Sequence, residues 1–460
     1  MGDWQRYLEE HAARFTEELV DFLRIQSVST DSAYRDEVRK AARWTANRLE
    51  QAGMEHVQIM ETEGHPVVYA DWLHAPGRPT LLIYGHFDVQ PADPLELWEH
   101  PPFEPHIEGD TIFARGASDM KGNVLLPIFA SEALLSTTGG LPVNMKFLFE
   151  GEEEIGSPSL EPFISSHREL LACDMVVCAD GGVGSKQAPA INVGRRGLMA
   201  IDIRVTSART DLHSGGAGGM APNAIHALVR LLDSMRDDEG RILVEGFYDD
   251  VRPLTAADRE DIARYPFQPE SYKETTGIKD FFGEPEYTPM ERNTVRPTLE
   301  INGIFGGYQG EGTKTVIPRE AAAKITCRLV PDQSPDKIRE LLIAHIERHA
   351  PKEVDVTVET FAGDAKAYVL PRDYEGLAAL ERAVASVSDR EPIRVRGGGT
   401  VPVTSLIKDA LGVETITLGA SLGNDRAHAP NESYDLANFR RIQRAFCILF
   451  EELSKSPVME

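Results

Sequence analysis

The sequence has few cysteines, few aromatic residues and no long apolar run. Its four cysteines, Cys173, Cys178, Cys327 and Cys447, form no C-x-x-C pair, so we expect buried free thiols in a reducing cytoplasm rather than a disulfide framework. No apolar stretch reaches the roughly 18 residues that a membrane span requires. Aromatic residues make up 7% and charged residues 26% of the chain, which is typical of an ordinary soluble globular protein.

Basic side chains are also scarce. Lysine and arginine number 48 against 73 aspartates and glutamates, which gives a formal net charge of −25. This charge repels phosphate backbones and anionic lipid, so we expect neither nucleic acid nor a membrane as a partner. The first residues, MGDWQRYLEEHAARF, carry charges where a secretory signal has an apolar stretch. We therefore expect no export signal and a cytoplasmic location.

A chain of 460 residues exceeds what one hydrophobic core usually supports, so we expect two domains. After two predicted helices, at 4–24 and 37–51, short apolar runs alternate with helical patterns. The runs lie at 67–73, 79–89, 143–149 and 175–179, and the helical patterns near 122–137 and 159–171. This alternation predicts an α/β domain with a mostly parallel central sheet. Near the C-terminus, a strand at 414–418 and a helix at 436–453 have the same style, and we expect the strand to join that sheet.

The middle of the chain has a different order of elements, β-α-β-β-α-β. The pattern predicts strands at 197–206, 298–304, 321–331 and 353–361, and helices at 222–235 and 334–350. This order is typical of a ferredoxin-like α+β sheet. We therefore predict an inserted domain at 195–366, between the two parts, 1–194 and 367–460, of the α/β domain. A polar stretch at 237–297 has no role that the sequence reveals.

Histidines and carboxylates follow four of the predicted strands. The first part of the second run, 79–84, leads to His86, and the third run leads to a row of glutamates that ends at Glu154. Asp180 comes after the fourth run, and His428 follows the C-terminal strand. Open α/β sheets bind ligands at the carboxyl ends of their strands, so these groups can converge despite their separation in sequence. Asp119, just before a predicted helix, completes the set.

This mixture of nitrogen and oxygen ligands without thiolate suits zinc, or less tightly cobalt or manganese. Five ligands are too many for one four-coordinate ion, whereas two ions that share one carboxylate would use all five. The spacing His86-x-Asp88 also allows Asp88 to accept a hydrogen bond from the far imidazole nitrogen. Each motif alone has a structural explanation as a turn or a solvated surface, and only their joint placement favours a metal site.

Eight motifs carry a family resemblance. They are HFDVQP at 86–91, GASDMKG at 116–122, EGEEEIGS at 150–157, DLHSG at 211–215, GTKTVIP at 312–318, RLVP at 328–331, GGTVP at 398–402 and AHAPNE at 427–432. The chain resembles the carnosinase-like dipeptidase branch of the dinuclear zinc metallopeptidase family, which also contains aminoacylase, carboxypeptidase G and succinyl-diaminopimelate desuccinylase. The resemblance covers nearly the whole chain in order.

The resemblance implies two Zn²⁺ per chain, with Co²⁺ or Mn²⁺ as possible substitutes. Asp119 would bridge the two ions. His86 and Asp180 would complete one ion, and Glu154 and His428 the other. The α/β domain would be catalytic, and the inserted domain would serve as a lid and dimerisation domain.

The resemblance also implies how the reaction proceeds. Glu153 would be the general base that takes a proton from the metal-bridging water and passes it to the leaving amine. Asp88 would be the hydrogen-bond partner of His86. His213 would reach the site of the neighbouring subunit in a homodimer, where it would donate to the oxyanion of the tetrahedral intermediate.

For substrate binding, the resemblance implies that Arg328 and Thr400, with the adjacent Gly399, hold the free carboxylate of a dipeptide. A forked guanidinium matches a carboxylate bidentately. At 361–366, where carnosinase proper would supply a further histidine, this chain has none and carries Lys366 instead. We therefore do not expect narrow carnosine specificity.

Three functions remain open on the sequence. The first is metal-dependent hydrolysis of dipeptides or short peptides. The second is an N-acyl amino acid deacylase or desuccinylase, which would use the same metals and base with another pocket. The third, from a different class, is a non-catalytic binding protein on the same fold; loss of a ligand or of the base would favour it, and none is lost. A nucleotide site is not supported, because the glycine-rich 307–314 segment lacks Gly-Lys-Ser/Thr.

Overall fold

The computed structural model describes residues 2–186, 188–361 and 363–455. The remaining positions, which include 362 within the 361–366 segment, lie outside the described residues. The helices are α1 Asp3–Glu10, α2 Ala12–Leu23, α3 Arg35–Gln51, α4 Gly122–Thr138, α5 Leu160–Ser166, α6 Arg168–Leu171, α7 Ser214–Ala217, α8 Ala224–Asp233, α9 Ala256–Arg264, α10 Pro269–Thr276, α11 Pro289–Val295, α12 Pro335–His349, α13 Glu375–Ser386, α14 Pro402–Leu411 and α15 Leu436–Leu453.

Twenty strands occur within these described ranges. They are β1 Glu55–Met60, β2 Val67–Trp72, β3 Thr80–His86, β4 His106–Glu108, β5 Thr111–Phe113, β6 Asn144–Glu150, β7 Met175–Cys178, β8 Gly182–Gly184, β9 Ala190–Arg195, β10 Gly197–Thr206, β11 Leu212–His213, β12 Thr298–Gly306, β13 Val316–Ile317, β14 Glu320–Leu329, β15 Asp355–Thr360, β16 Tyr368–Val369, β17 Ile393–Gly397, β18 Thr415–Thr417, β19 Ser421–Leu422 and β20 Ser433–Asp435.

The chain divides into two compact units. The first contains Met1–Val193, Leu370–Val395 and Leu406–Glu460, and the second contains Gly194–Val369 and Arg396–Ser405. The segment 396–405, which carries Gly399 and Thr400, therefore belongs to the second unit. The predicted use of residues 195–366 as a lid and dimerisation domain stays a prediction.

The first unit is built around a six-stranded sheet of order β1-β2-β6-β3-β7-β18. Strands β6, β3, β7 and β18 run parallel to one another, while β1 and β2 are antiparallel additions at one edge. Residues 81–86 of β3 are all buried, as expected for a parallel strand covered on both faces. The predicted α/β fold with a mostly parallel sheet is confirmed, and the C-terminal strand joins it as β18.

Several local features differ from the prediction. The helical pattern near 159–171 forms two short helices, α5 and α6. The predicted helix at 4–24 is two helices, α1 and α2, which are separated at His11. Strand β1 was not predicted, because most of its side chains are exposed and its sequence, EHVQIM, contains no continuous apolar run. Edge strands of this kind carry a weak hydrophobic signal.

The second unit contains a four-stranded antiparallel sheet of order β12-β14-β10-β15. Alternate residues of β10 are buried in a core that also contains residues of α8 and α12. The strand order and the two helices confirm the predicted ferredoxin-like α+β sheet. The polar stretch 237–297 contains three further helices, α9, α10 and α11.

Two other sequence expectations concern the whole chain. Over the described residues, no helix combines the length and the apolar composition that a membrane span needs. None of the four cysteines forms a disulfide, and three of them are buried.

Candidate active site

The parallel strands of the first unit bring several polar side chains to one sheet edge. Strand β3 ends at His86, and β7 ends two residues before Asp180. Strand β6 ends at Glu150 and leads into the turn that carries Glu153 and Glu154. Because these three strands are parallel neighbours, their carboxyl ends lie side by side.

Two more side chains reach this edge from loops. Asp119 lies in the irregular turn Ala117–Lys121 that precedes α4, with non-helical backbone angles of φ −126° and ψ 92°. His428 has a φ of +63°, in the left-handed region that is unfavourable for residues with a β-carbon. Backbone strain of this kind is common where a loop must aim a side chain at a functional site.

The five predicted ligands form two groups that share one carboxylate. His86, Asp119 and Asp180 make one group, and Asp119, Glu154 and His428 make the other; within each group the ligand atoms lie within 4.8 Å of one another. Nε2 of His428 is 2.9 Å from Oδ2 of Asp119 and 3.2 Å from Oε2 of Glu154. Nε2 of His86 is 3.3 Å from Oδ1 of Asp119.

The donor atoms of this cluster fit divalent metal ions. Among the described residues, Nε2 of His86 and Oε1 of Glu154 are buried and have no hydrogen-bond partner, which is costly unless a further group satisfies them. Burial raises the pKa of Asp119, but the neighbouring imidazoles of His428 and His86 lower it below its usual range. Imidazole nitrogen and carboxylate oxygen together suit zinc and the neighbouring transition metals.

Asp88 links the two halves of the cluster. Its carboxylate is fully buried and lies 3.2 Å from Nδ1 of His86, and its backbone carbonyl lies 3.1 Å from the same nitrogen. A proton held on Nδ1 by these oxygens leaves the Nε2 lone pair free for a metal. The same carboxylate accepts hydrogen bonds from the backbone N–H groups of Glu153 and Glu154, at 3.3 and 3.1 Å. Asp88 therefore orients a histidine ligand and also holds the turn that carries the two glutamates.

Glu153 belongs to neither ligand group. Its Oε2 is 3.9 Å from Nε2 of His86, and its side chain is 20% exposed. Burial raises the pKa of Glu153; the charge of His86 opposes this effect, and the carboxylates of Asp180 and Glu154 reinforce it. A carboxylate that lies beside the ligands but outside both groups is suited to accept and release a proton.

Sequence reasoning missed several residues that support this site. Ser29 donates to Asp88 at 2.6 Å, and Gln90 donates to Oε2 of Glu154 at 2.9 Å. Glu152, the first glutamate of the EEE run, is buried and accepts backbone N–H groups of His65 and Ser159. Gln90 and Glu152 lie inside recognised motifs, whereas nothing in the sequence near Ser29 marks it.

The predicted carboxylate-binding residues lie in the second unit. Nη1 of Arg328 donates to Oγ1 of Thr400 at 2.7 Å, and Arg196 donates to the carbonyl of Gly398 at 2.8 Å. Burial, and then the charge of Arg328, lowers the pKa of Arg196 to about 10. Within the described residues neither guanidinium forms an ion pair with a carboxylate, so their charges favour an anion at this place. Gly399, between the two contacts, is exposed.

His213 also lies in the second unit, on the short strand β11 that pairs with β13. Its Nδ1 accepts hydrogen bonds from the backbone N–H groups of Gly215 and Gly216, at 3.0 and 3.2 Å. In the neutral imidazole the proton therefore lies on Nε2. The side chain is exposed, so Nε2 is a hydrogen-bond donor presented to solvent.

Comparison with known proteins gives consistent results. The model of peptidase family M20/M25/M40 matches residues 82–452. The chain is 29% identical to the Cys-Gly metallodipeptidase DUG1 of Candida albicans, over 94% of this chain and 93% of that protein. It is 28% identical to human Beta-Ala-His dipeptidase, over 98% and 92%. Among solved structures, the M20 family metallo-carboxypeptidase Sso-CP2 of Sulfolobus solfataricus is 33% identical with a TM-score of 0.83, over 96% of this chain and 99% of that chain.

Proposed function

Because the chain belongs to peptidase family M20/M25/M40, we propose that it hydrolyses the peptide bond of dipeptides or short unblocked peptides with the aid of two divalent metal ions. The observation that carries this proposal is the pair of three-residue groups that share Asp119, with Glu153 beside them but outside both. This arrangement combines two sites for metal with one carboxylate that remains available for proton transfer.

We assign His86 and Asp180 to one ion, Glu154 and His428 to the other, and Asp119 to both. Zinc is the proposed metal, with cobalt or manganese as alternatives. Two such ions, when bound, lower the pKa of water and polarise the scissile carbonyl. The chain itself positions the five ligand atoms. Four of these atoms belong to side chains that are at least half-buried.

Glu153 is the proposed general base. It accepts a proton from the attacking water and later delivers that proton to the leaving amine, so that the carboxylate is regenerated at the end of each cycle. Asp88 keeps Glu153 in place through its backbone N–H group. His213, with its proton on Nε2, donates to the oxyanion that forms when water adds to the carbonyl.

Arg328 and Thr400 are the proposed binding groups for the free carboxylate of the substrate, with Gly399 beside them. The guanidinium of Arg328 has a hydroxyl partner and no carboxylate partner among the described residues, so a substrate carboxylate can supply the missing negative charge. A dipeptide and an N-acyl amino acid both carry such a carboxylate. Arg328 and Thr400 therefore select for a free carboxylate in either class of substrate and do not distinguish the two classes.

The active unit is proposed to be a homodimer in which His213 serves the partner's site. Strand β12 supports this assignment, because it is an edge strand of the second unit's sheet and exposes Ile301, Ile304 and Phe305. An apolar edge strand is a liability when it is left uncovered, and a second copy of the chain can cover it. A cytoplasmic location is part of the proposal and rests on the absence of disulfides among the described cysteines.

A substrate panel tests the proposed activity. Protein with a defined metal content is incubated with dipeptides, C-terminally amidated dipeptides and N-acyl amino acids, and the released amine is measured. Preferred hydrolysis of free dipeptides supports the proposal. Preferred hydrolysis of N-acyl amino acids would replace it with the deacylase alternative, and failure to cleave any of them would favour the binding protein.

The ligand groups predict the metal stoichiometry. We expect elemental analysis of the purified protein to give about two transition-metal ions per chain, because five ligands with one shared carboxylate complete two open sites. Apoprotein prepared with a chelator should regain both ions on titration with Zn²⁺. A fully active preparation with one ion or none would contradict the dinuclear assignment.

The substrate-carboxylate assignment predicts a selective change in KM. Arg328→Met should raise KM for free dipeptides by about 10- to 100-fold, the scale of a lost charge-assisted hydrogen bond pair, and should change KM for amidated dipeptides little. Arg204→Met is a matched control, because Arg204 is an exposed arginine on β10 of the same sheet. An equal loss with free and amidated substrates would mean that Arg328 does not recognise the carboxylate.

A further inference from the structure

Glu432 is a fully buried carboxylate that no proposed step of the reaction uses. It lies four residues after the candidate ligand His428, and its relative exposure is 0%. Its Oε1 accepts hydrogen bonds from the backbone N–H groups of Ser118 and Asp119, at 2.9 and 3.0 Å, and from the hydroxyl of Ser118 at 3.2 Å. Oε2 accepts from Nη1 of Arg115 at 2.7 Å and from the N–H of Gly116 at 2.9 Å.

These contacts join two segments that are more than 300 residues apart in sequence. One is the turn 116–119, which ends at the shared candidate ligand Asp119, and the other is the segment 427–432, which carries His428. The backbones of the segments are also tied, because the N–H of Ala114 donates to the carbonyl of Glu432 at 3.1 Å and β20 continues the pairing with β5. The side chain of Glu432 adds hydrogen bonds from the segment 427–432 to the turn that holds Asp119.

Only an ionised carboxylate fits the position of Glu432. All five of its partners are donors, and an ionised carboxylate is an acceptor at both oxygens. An amide would place an N–H₂ group against at least two donors, whichever way it is turned, and those donors would then be buried without partners. The side chain therefore fixes the backbone at Ser118 and Asp119 in a way that its isostere cannot.

We propose that Glu432 is a positioning residue that fixes Asp119 relative to His428 and thereby sets the affinity of the chain for both metal ions. This inference rests on the proposed function only in so far as Asp119 and His428 are metal ligands. Because Asp119 belongs to both ligand groups, a displacement of its turn weakens both sites together. Groups that hold ligands in place typically contribute about 10- to 100-fold to metal affinity.

The test measures metal affinity rather than turnover. Apoprotein of the wild type, Glu432→Gln and Glu432→Asp is titrated with Zn²⁺ in competition with a chromophoric chelator, and the Co²⁺ forms are compared by visible absorption. We expect Glu432→Gln to weaken Zn²⁺ binding by about 10- to 100-fold at both sites. Glu432→Asp keeps the charge, but its shorter side chain cannot reach every donor. Its Zn²⁺ affinity should therefore lie between that of the wild type and that of Glu432→Gln, and its Co²⁺ spectrum should differ from that of the wild type.

Glu132→Gln is the matched control. Glu132 is also a buried carboxylate, with Arg14, Arg48 and Tyr7 as its partners, and none of these is a candidate ligand. This variant should lower Tm and leave the Zn²⁺ affinity and the Co²⁺ spectrum unchanged, so it separates loss of stability from loss of positioning.

The outcomes distinguish this inference from the proposed function. If the wild type binds no Zn²⁺, the dinuclear assignment itself is wrong. If the wild type binds two ions and a folded Glu432→Gln binds them equally well, only the positioning role is overturned. If Glu432→Gln does not fold, Glu432→Asp decides, and an unchanged Kd and Co²⁺ spectrum in that variant would overturn the role.

Discussion

Glu153→Gln is expected to lower kcat by about 10²- to 10⁴-fold, the usual contribution of a general base, and to leave about two metal ions bound. The amide has the shape of the carboxylate but cannot take a proton from water. Metal content should survive because Glu153 belongs to neither ligand group and because its backbone N–H group, which bonds to Asp88, is unchanged. Elemental analysis and steady-state kinetics on the same preparation measure both quantities.

Glu154→Gln is the neighbouring control, because it makes the same chemical change one residue away. Oε2 of Glu154 lies 3.2 Å from Nε2 of His428, so the amide should lower metal occupancy, and added Zn²⁺ should restore part of the activity. The opposite pattern, in which Glu153→Gln loses metal and Glu154→Gln keeps both ions without turnover, would mean that base and ligand are exchanged.

The candidate metal ligands could be found from the sequence because the predicted parallel strands determine which side chains meet at one edge of the sheet. His86 and Asp180 follow apolar runs that were recognisable as buried parallel strands, and such strands end at a common edge. Asp119 and His428 lie on irregular loops, where periodicity carries no information. The position of His428 after a predicted strand and that of Asp119 before a predicted helix placed them in the predicted ligand set, and the family resemblance assigned each to its ions; the structure brings both to the same cluster.

Contacts between distant segments account for much of what the sequence did not reveal. Ser29 supports Asp88 from 59 residues away, and a serine before a helix carries no signal for such a contact. In the second unit, the stretch 237–297 had no apparent role, yet α11 places Asn293 against Gly398: a β-carbon on that glycine would lie 2.5 Å from Oδ1 of Asn293. The stretch therefore packs against the segment that carries Thr400, a pairing that only the folded chain reveals.

A mixture of two inactive variants should recover about a quarter of wild-type activity if His213 serves the partner's site. One variant carries Glu153→Ala and the other His213→Ala, and the subunits are allowed to exchange. Random pairing makes about half of the dimers mixed. In each mixed dimer, the chain with His213→Ala keeps its own Glu153 and receives His213 from its partner, so one of the two sites is intact. The other site lacks both groups.

The role expected of His213 rests on the tautomer and the exposure of its imidazole. Its Nδ1 is occupied by two backbone N–H groups, so the exposed Nε2–H is fixed as a donor, which an oxyanion requires.

A mixture of Glu153→Ala with Glu154→Ala is the matched control. Both of those residues follow β6 in the same turn, so no pairing of these chains creates an intact site, and activity should stay at the level of the separate variants. Recovery in the first mixture alone, with exchange verified by native mass spectrometry, would establish action between subunits. No recovery despite verified exchange would mean that His213 acts within its own chain or takes no part in the reaction.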